Sequence, residues 1–441
     1  MNLLRMLPLS MAIGAALAGT AQAQSLVALY DAARAYDAAY QSARAQYDAN
    51  LARAAQAKAG ILPSANLSAG ASRSQFENSN PVIDRNLGSQ NATVSASQPL
   101  YRPANWATYE QGKRQVDLAE TQLLLAEQDL LVRVSQAYFD VLAAQDSLTF
   151  VRAQKSAVAE QLASAKRNFE VGTSTITDTR EAQARYDLVI AQEIAADNDL
   201  RVKKIALDQL VGRPNTQPQP LAVPVALPAL VPEDVDTWVQ QSEDASPGIR
   251  QTQIALDVAR LETQKAEAGH KPTLDLTASY AVVRNPNGTT TNPNVASRTN
   301  TASVGVVFNL PLFAGFATQN RIKETLSLEE KAQADLDAAK RTVAQGTRAA
   351  YYGVVSGTGQ VKALEAAEAS SQSALDANKL GYQVGVRINI DVLNSQSQLF
   401  QTKRDLAQAR YNVLLGNLKL RQANGTLKPE DLQGINALLA Q

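Results

Sequence analysis

Two short stretches of the chain share one pattern: residues 168–183 read NFEVGTSTITDTREAQ and residues 381–396 read GYQVGVRINIDVLNSQ. In each stretch an aromatic residue precedes a Val-Gly pair, and an aspartate stands six positions after the glycine. The glycine and aspartate pairs are Gly172 with Asp178 and Gly385 with Asp391. The pattern occurs twice, 213 positions apart, which raises the question of whether the whole chain is an internal repeat.

Each copy of the pattern predicts a helical hairpin tip. Glycine readily takes the positive φ that ends a helix, and Thr and Asp side chains accept hydrogen bonds from the first free amides of the next helix. We therefore predict that Gly172 and Gly385 form the turns. Thr177 with Asp178, and Asp391 alone, are then expected to cap the returning helices.

The two stretches belong to a longer self-similarity, with offsets between 209 and 213 positions. The further matching pairs are Leu62-Pro63 with Lys271-Pro272, Pro99-Leu100-Tyr101 with Pro311-Leu312-Phe313, Ala137-Tyr138-Phe139 with Ala350-Tyr351-Tyr352, and Gly212 with Gly425. Matches in the same order indicate two copies of one structural unit. The predicted organisation is a first repeat over 24–212, a second repeat over 248–425 and a C-terminal tail over 426–441. Between the repeats, residues 213–247 carry seven prolines and are predicted to be a linker.

The composition excludes several functional classes. Among 441 residues, Lys plus Arg and Asp plus Glu are equal at 42 each, so no basic field is available for nucleic acid. There is no Cys and one His, His270, which excludes zinc sites built from Cys and His. No nucleophile, base and orienting group cluster at a recognisable spacing, so we expect neither an enzyme nor a bound cofactor or metal.

The N-terminus predicts secretion. Arg5 precedes an apolar run from Met6 to Ala18, and Ala21-Gln22-Ala23 has small residues where a signal peptidase cuts. Residues 1–23 are therefore predicted to be a signal peptide, and Gln24 the first residue of the mature chain. No later segment approaches about 18 uninterrupted apolar residues, so a membrane crossing would have to use strands.

Hydrophobic periodicity gives the same order of elements in both repeats. Helical patterns cover 25–59, 105–168, 178–211 and 316–383. Period-two alternation predicts β-hairpins at 64–99 and 273–311, with a polar loop from about Gln75 to Gln90 in the first and a loop between Asn285 and Asn294 in the second. The long helices, at 1.5 Å per residue, would extend for roughly 95 to 100 Å.

The predicted strands allow two interpretations. Their length of about nine to eleven residues suits a tilted crossing of a bilayer, with small apolar residues on one side and Ser and Thr on the other. Four amphipathic strands covering a soluble core would show the same alternation. In a membrane, four strands cannot close a barrel and an open edge is forbidden in lipid, so several chains would have to share it.

The order of signal peptide, helix, hairpin, long helix, Val-Gly turn and short helix, repeated once, resembles the TolC family of outer-membrane channels. The most specific segment is residues 381–427, and Ala-Arg-Tyr recurs at 184–186 and 409–411. The resemblance implies a mixed, mainly α fold in which antiparallel coiled-coil helices of a homotrimer form an α-barrel across the periplasm, below a 12-stranded transmembrane β-barrel shared by three chains. It also implies that the β-barrel lies in the lipid of the outer membrane of a Gram-negative bacterium. The implied protein partners are a periplasmic adaptor protein and an inner-membrane transporter of the ABC or RND type.

The resemblance also implies a gate and a charged ring at the tips. Tyr382 and Arg387 match residues that bridge to neighbouring tips and hold the entrance shut, and Thr177 with Asp178 match the acidic side of that contact. Arg167 stands where the family can have Gln, so this link is expected to differ. Asp391 matches an entrance aspartate ring, which implies selectivity for cations. Asn394 replaces a second expected aspartate and halves the ring charge.

Two alternative classes stay open from the residues alone. A trimeric surface adhesin also joins coiled helices to a shared barrel, but it places its strands at the C-terminus. A soluble periplasmic adaptor would have no strands facing lipid. For a channel, the residues do not separate a secreted protein from small toxic compounds as the cargo.

Overall fold

The computed structural model describes residues 24–80, 82–222, 224–292 and 294–440. The predicted signal peptide, residues 1–23, lies outside the described residues. The helices are α1 (Leu26–Tyr36), α2 (Ala38–Ala59), α3 (Pro103–Glu170), α4 (Ile176–Val211), α5 (Val235–Ala245), α6 (Pro247–Glu267), α7 (Ala317–Gln383), α8 (Asn389–Ala423) and α9 (Asp431–Asn436). The strands are β1 (Ser64–Ser79), β2 (Val82–Tyr101), β3 (Thr273–Asn285) and β4 (Ser297–Asn309). The chain is mainly helical, as predicted, and α3 and α7 reach 68 and 67 residues.

Within the described ranges, no helix combines the length and the apolar character that a membrane crossing requires.

The chain divides into two compact units. Unit 1 comprises the described parts of Met1–Ala43, Leu123–Gly248 and Lys340–Gln441, and unit 2 comprises Arg44–Gln122 and Ile249–Ala339. Unit 2 holds all four strands, which form one antiparallel sheet in the order β1-β2-β3-β4. The two hairpins pair through β2 and β3, and β1 and β4 form the edges of the sheet.

The register gives the sheet one apolar and one polar face. Directly opposed residues point to the same side, and the rows Leu67–Val94–Tyr280–Ala302 and Ala65–Ala96–Ala278–Val304 cross all four strands on one face. On the other face the row is Asn66–Ser95–Ser279–Ser303, with the hydroxyls of Ser279 and Ser303 2.8 Å apart. The apolar face is uncovered, since Leu67 is 74 % and Val304 77 % exposed.

The loop prediction for the first hairpin was wrong. Residues from Gln75 to Gln90 are paired strand almost throughout, because β1 extends to Ser79 and β2 begins at Val82. Their polar side chains are typical of a loop, which is why a loop was predicted. The two strands nevertheless stay paired through this segment, for example at Phe76 opposite Arg85. In the second hairpin β3 ends at Asn285 and β4 begins at Ser297, so the described part of the predicted loop between Asn285 and Asn294 lies outside both strands.

Unit 1 is held together by helices packed on a shared core. Its largest buried side chains include Tyr138 and Phe139 of α3, and the ring of Phe139 lies 5.7 Å from that of Tyr411 on α8. The hydroxyl of Tyr411 donates to the Asp146 carboxylate at 2.6 Å, and burial raises the pKa of Asp146. A second cluster, which includes Val158, Val189 and Leu393, joins α3, α4 and α8 nearer the Val-Gly turns.

The first helical pattern is interrupted, which the sequence did not predict. α1 ends at Tyr36 and α2 begins at Ala38, on either side of Asp37. The Asp37 carboxylate accepts a hydrogen bond from the Tyr40 amide at 2.8 Å and a forked pair from Arg133 at 3.0 and 3.1 Å. The break is therefore fixed by a contact with α3, 96 residues away.

Candidate functional site

The two Val-Gly turns have the same backbone geometry. We call residues 168–178 tip 1 and residues 381–391 tip 2; both lie in unit 1. Gly172 has φ of 80° and Gly385 has φ of 78°, the left-handed region that glycine takes without strain. Apart from the two adjoining residues, no atom of the described chain lies within 4 Å of where a Cβ would stand at either position, so the backbone angle, and not lack of space, requires glycine.

Equivalent hydrogen bonds close both turns. In tip 1 the amide of Thr173 donates to the carbonyl of Asn168 at 2.8 Å, and in tip 2 the amide of Val386 donates to that of Gly381 at 2.9 Å. These bonds reach back five residues and satisfy carbonyls that the helix leaves free at its end. The repeated sequence pattern therefore corresponds to a repeated turn.

Tip 1 is capped by a residue other than the predicted one. The N-cap of α4 is Thr175, whose hydroxyl accepts from the Asp178 amide at 3.3 Å, while the Asp178 carboxylate accepts from the Thr175 amide at 3.0 Å. This reciprocal arrangement is a capping box. Thr177 lies inside the helix, is exposed, and its side chain makes no hydrogen bond with any residue the structure describes. Asp178 does take part in capping, but Thr177 does not.

Tip 2 has no side-chain cap. The N-cap of α8 is Ile388, which has no acceptor in its side chain, and Asp391 lies in the first turn. The Asp391 carboxylate instead faces Arg387, with Oδ2 3.7 Å from Nη1. The prediction that Asp391 caps the helix was therefore wrong; within the chain its charge is partly balanced by Arg387.

Two asparagines that the sequence did not single out connect the tips. The side-chain amide of Asn168 donates to the Tyr382 hydroxyl at 3.1 Å. Asn389 is fully buried; its amide donates to the Asp178 carbonyl at 3.1 Å and its oxygen accepts from Gln161. Asn is common at helix ends in any protein, so nothing in the residue type identified these two contacts.

The remaining predicted residues lie around this contact. Tyr382 is half-buried and Arg387 exposed, and no hydrogen bond joins either to Asp178 in the described chain. Arg167 is exposed, and its side chain makes no hydrogen bond or ion pair with any described residue. Asn394 is exposed on α8 and accepts a hydrogen bond from Arg185 of α4 at 2.9 Å.

Long helices ending in two matched tips, with a sheet that leaves one apolar face uncovered, define the fold of outer-membrane channel proteins. Solved structures agree: VceC of Vibrio cholerae has a TM-score of 0.78 at 17 % identity, covering 91 % of this chain and 96 % of that one. CusC gives a TM-score of 0.78 at 18 % identity, with 91 % and 92 % covered.

Sequence comparison identifies the family. The family described as "Outer membrane efflux protein" matches residues 29–213 and 238–426, and the chain belongs to this family. It is 33 % identical to the outer membrane protein TolC of Vibrio cholerae over 98 % of both chains. It is 30 % identical to the proteases secretion protein PrtF of Dickeya chrysanthemi, covering 95 % of this chain and 92 % of that protein.

The family resemblance and the function class are thereby confirmed. The chain is a TolC-family channel, an exit duct in the outer membrane of a Gram-negative bacterium. The family and the relatives are channels and not enzymes. This decides against the adhesin and the soluble adaptor that the residues alone had left open.

Proposed function

We propose that three copies of the chain form one duct, in which their sheets close a 12-stranded β-barrel and their long helices form a hollow tube through the periplasm. The observation that carries the proposal is the sheet of unit 2. Its apolar rows are uncovered, and its edge strands β1 and β4 have no outer pairing partner among the described residues.

An unpaired edge in lipid costs several kcal/mol for each unsatisfied backbone group. Pairing β4 of one chain with β1 of the next is antiparallel, like every other pairing in the sheet, and removes all edges when the ring closes. The uncovered apolar rows then face lipid, and the Ser and Asn rows face the water inside. Each chain is taken to contribute two repeats, 24–212 and 248–425, joined by the linker 213–247.

The tips are proposed to form the periplasmic gate. Tyr382 accepts a hydrogen bond from Asn168, but its own hydroxyl proton has no acceptor among the described residues of the chain. Arg387 likewise has free donors beyond its 3.7 Å contact with Asp391. Both donors are available to Thr177 and Asp178 on the tip of a neighbouring chain, and such contacts would hold the entrance closed.

The entrance is proposed to prefer cations through a ring of three Asp391 carboxylates. Arg387 weakens this preference, because in the closed state the positive guanidinium beside each Asp391 partly compensates the charge of the carboxylate. Asn394 contributes no charge, and Arg185 beside it adds a positive one. The ring should therefore become more effective when the Arg387 guanidinium is removed.

The duct is proposed to receive cargo from an inner-membrane ABC or RND-type transporter through a periplasmic adaptor. Relatives whose names describe protease secretion, PrtF and AprF, support type I protein secretion. The relatives named efflux protein BepC and cobalt-zinc-cadmium resistance protein CzcC support expulsion of small solutes. Co-purification of a transporter and adaptor with the tagged chain, followed by mass spectrometry, would identify the pathway. Recovery of a channel without either partner, under conditions that preserve such complexes for a known family member, would contradict this part of the proposal.

A further inference from the structure

A polar cleft lies between α3, α4 and α8 in unit 1, and Asn394, three residues beyond tip 2, is among its lining residues. It has a volume of about 390 Å³, a size typical of small-ligand sites. Two arginines line it, Arg185 of α4 and Arg404 of α8, together with the amides of Gln154, Gln192 and Gln401. Among the described residues that line the cleft there is no Asp or Glu. The cleft is therefore positively charged.

Neither arginine has a carboxylate partner within the described chain. Arg404 donates to Gln154 Oε1 at 3.2 Å and to Gln401 Oε1 at 2.7 Å, and Arg185 donates to Asn394 Oδ1 at 2.9 Å. Other arginines on the same helices do form ion pairs. These are Arg152 with Glu193 at 3.1 Å, Arg201 with Asp197 at 2.7 Å and Arg410 with Glu365 at 2.8 Å. The two arginines of the cleft differ from these three in being bonded only to neutral amides.

This arrangement leaves charge uncompensated in a partly buried place. Burial lowers the pKa of Arg404, and only the neighbouring charge of Asp405 acts in the opposite direction. Removing a guanidinium from water without an anionic partner is unfavourable. A bound anion would offset that cost, and the guanidinium groups still have free N–H donors, since each carries five.

A buried hydrogen-bond acceptor in the same cleft limits which anions would fit the site. Gln192 Oε1 is buried and has no hydrogen-bond donor among the described residues. A ligand that fits both features has anionic oxygens for the arginines and a hydroxyl for this amide oxygen. Hydrogen phosphate carries both, whereas sulfate has only acceptors.

We infer that the cleft between Arg185 and Arg404 is a binding site for a phosphate group, whose hydroxyl donates a hydrogen bond to Gln192 Oε1. The source is either free inorganic phosphate or a small phosphomonoester. All residues of the site belong to one chain, and the inference goes beyond the proposed duct. Arginine is suited to the role because its planar fork binds two phosphate oxygens at once.

The test uses the purified full-length channel in detergent and equilibrium dialysis with radiolabelled inorganic phosphate. We expect saturable binding of one phosphate per chain, with sulfate competing at least threefold more weakly. Competition by glycerol phosphate distinguishes the two sources. If glycerol phosphate binds more tightly than inorganic phosphate, the site is assigned to phosphomonoesters. If it binds more weakly, the site is assigned to free phosphate. No saturable phosphate binding, or sulfate binding as tightly as phosphate, would overturn the inference.

Variants separate the site from general surface charge. Arg185→Gln with Arg404→Gln should lower phosphate affinity at least tenfold, while Arg404→Lys, which keeps the charge but not the fork, should lower it less. The matched control is Arg201→Gln on α4, whose arginine is paired with Asp197 and lies outside the cleft; it should bind as the unaltered protein does. Native mass spectrometry checks that each variant keeps its assembly. Equal loss in the control, or unchanged binding in a correctly assembled double variant, would contradict the site.

Discussion

The side-chain amide of Asn168 donates a hydrogen bond to the hydroxyl of Tyr382 at 3.1 Å, across 214 positions of the chain. Asn168 also accepts three hydrogen bonds of tip 1 at its carbonyl, from the amides of Thr173 and Ser174 and the hydroxyl of Thr173. The residue that closes the first turn therefore also fixes the aromatic residue of the second. This hydrogen bond links the two tips within one chain.

This coupling predicts the behaviour of the gate. Tyr382→Phe with Arg387→Ser removes the hydroxyl bonded to Asn168 and the donors offered to neighbouring tips, so single-channel conductance in planar bilayers should rise several-fold. Asn168→Ala should give a smaller rise, because it loses only the contact within the chain. Tyr47→Phe, on α2 and far from the tips in sequence, is the matched control and should conduct normally. Unchanged conductance in the double variant would mean that the constriction lies elsewhere.

The capping box predicts a local stability difference between two threonines. Thr175→Ala removes the acceptor for the Asp178 amide, and loss of such a cap costs about 0.5 to 2 kcal/mol. Hydrogen exchange at the first turn of α4 should accelerate accordingly. Thr177→Ala alters an exposed side chain two positions away that caps nothing, so it should accelerate exchange less than Thr175→Ala does. Equal acceleration in both variants would contradict the assignment of Thr175 as the cap.

Because the side-chain amide of Asn389 is buried between the two tips, we predict that its loss lowers the stability of the folded protein. Asn389→Leu removes the side-chain hydrogen bonds to the Asp178 carbonyl and from the Gln161 amide, and each such bond contributes about 0.5 to 1.5 kcal/mol. Thermal melting of the purified channel should begin at a lower temperature. Asn198→Ala, at an exposed position on α4, serves as the control. If the two variants melted alike, Asn389 would not stabilise the junction.

Much of this architecture could be predicted from the sequence, and the failures have a common cause. The long helices follow from uninterrupted periodicity, and the glycine turns follow from the need for positive φ at Gly172 and Gly385. The break at Asp37 could not be predicted, because it depends on a forked contact with Arg133. The same holds for Asn168 and Asn389, whose partners lie more than 200 positions away. Local patterns specify elements, but they do not report which distant side chain satisfies a polar group.

The Asp37 contact also predicts a pH dependence. Hydrogen bonds from Arg133, and to a lesser extent from the Tyr40 amide, hold the pKa of Asp37 below its ordinary value of 3.8. A carboxyl whose pKa is lower in the folded than in the unfolded state stabilises the fold above the unfolded value and loses that effect as pH falls through the folded one. Asp37→Asn should therefore lower the melting temperature at pH 7, and the difference from the unaltered protein should shrink below pH 4.

The control for this effect is Asp31→Asn, which alters an exposed carboxyl on α1. It should change the melting temperature little at either pH. A deficit of Asp37→Asn that stayed constant from pH 7 to pH 3 would show that the contact stabilises by packing and not by charge.

The entrance charges predict the response to multivalent cations. Three carboxylates repel one another by about 1 kcal/mol per pair at ~5 Å in water-like surroundings, and a trivalent cation on the axis relieves this repulsion. Asp391→Ala should abolish block by a hexaammine-type trivalent ion. Asn394→Asp alone should strengthen block only slightly, because Arg185, which lies 2.9 Å from Asn394 Oδ1, would pair with the new carboxylate. In the double variant Asn394→Asp with Arg185→Gln, the new carboxylate has no arginine partner, so block should be clearly stronger. Block that persisted in Asp391→Ala would remove the ring from the mechanism.

The central claim is that three copies of the four-stranded sheet close into one barrel. The chain contains no Cys, so a single pair of cysteines can be introduced, one on β1 at Leu67 and one at successive positions of β4 from Thr301 to Val306. Oxidation in intact outer membranes, followed by denaturing electrophoresis and native mass spectrometry, measures the number of linked chains directly. We predict a covalent ladder ending at the trimer for some β4 positions, and a native mass of three mature chains. A native mass of one chain, or no link between β1 and β4 at any position, would contradict the account.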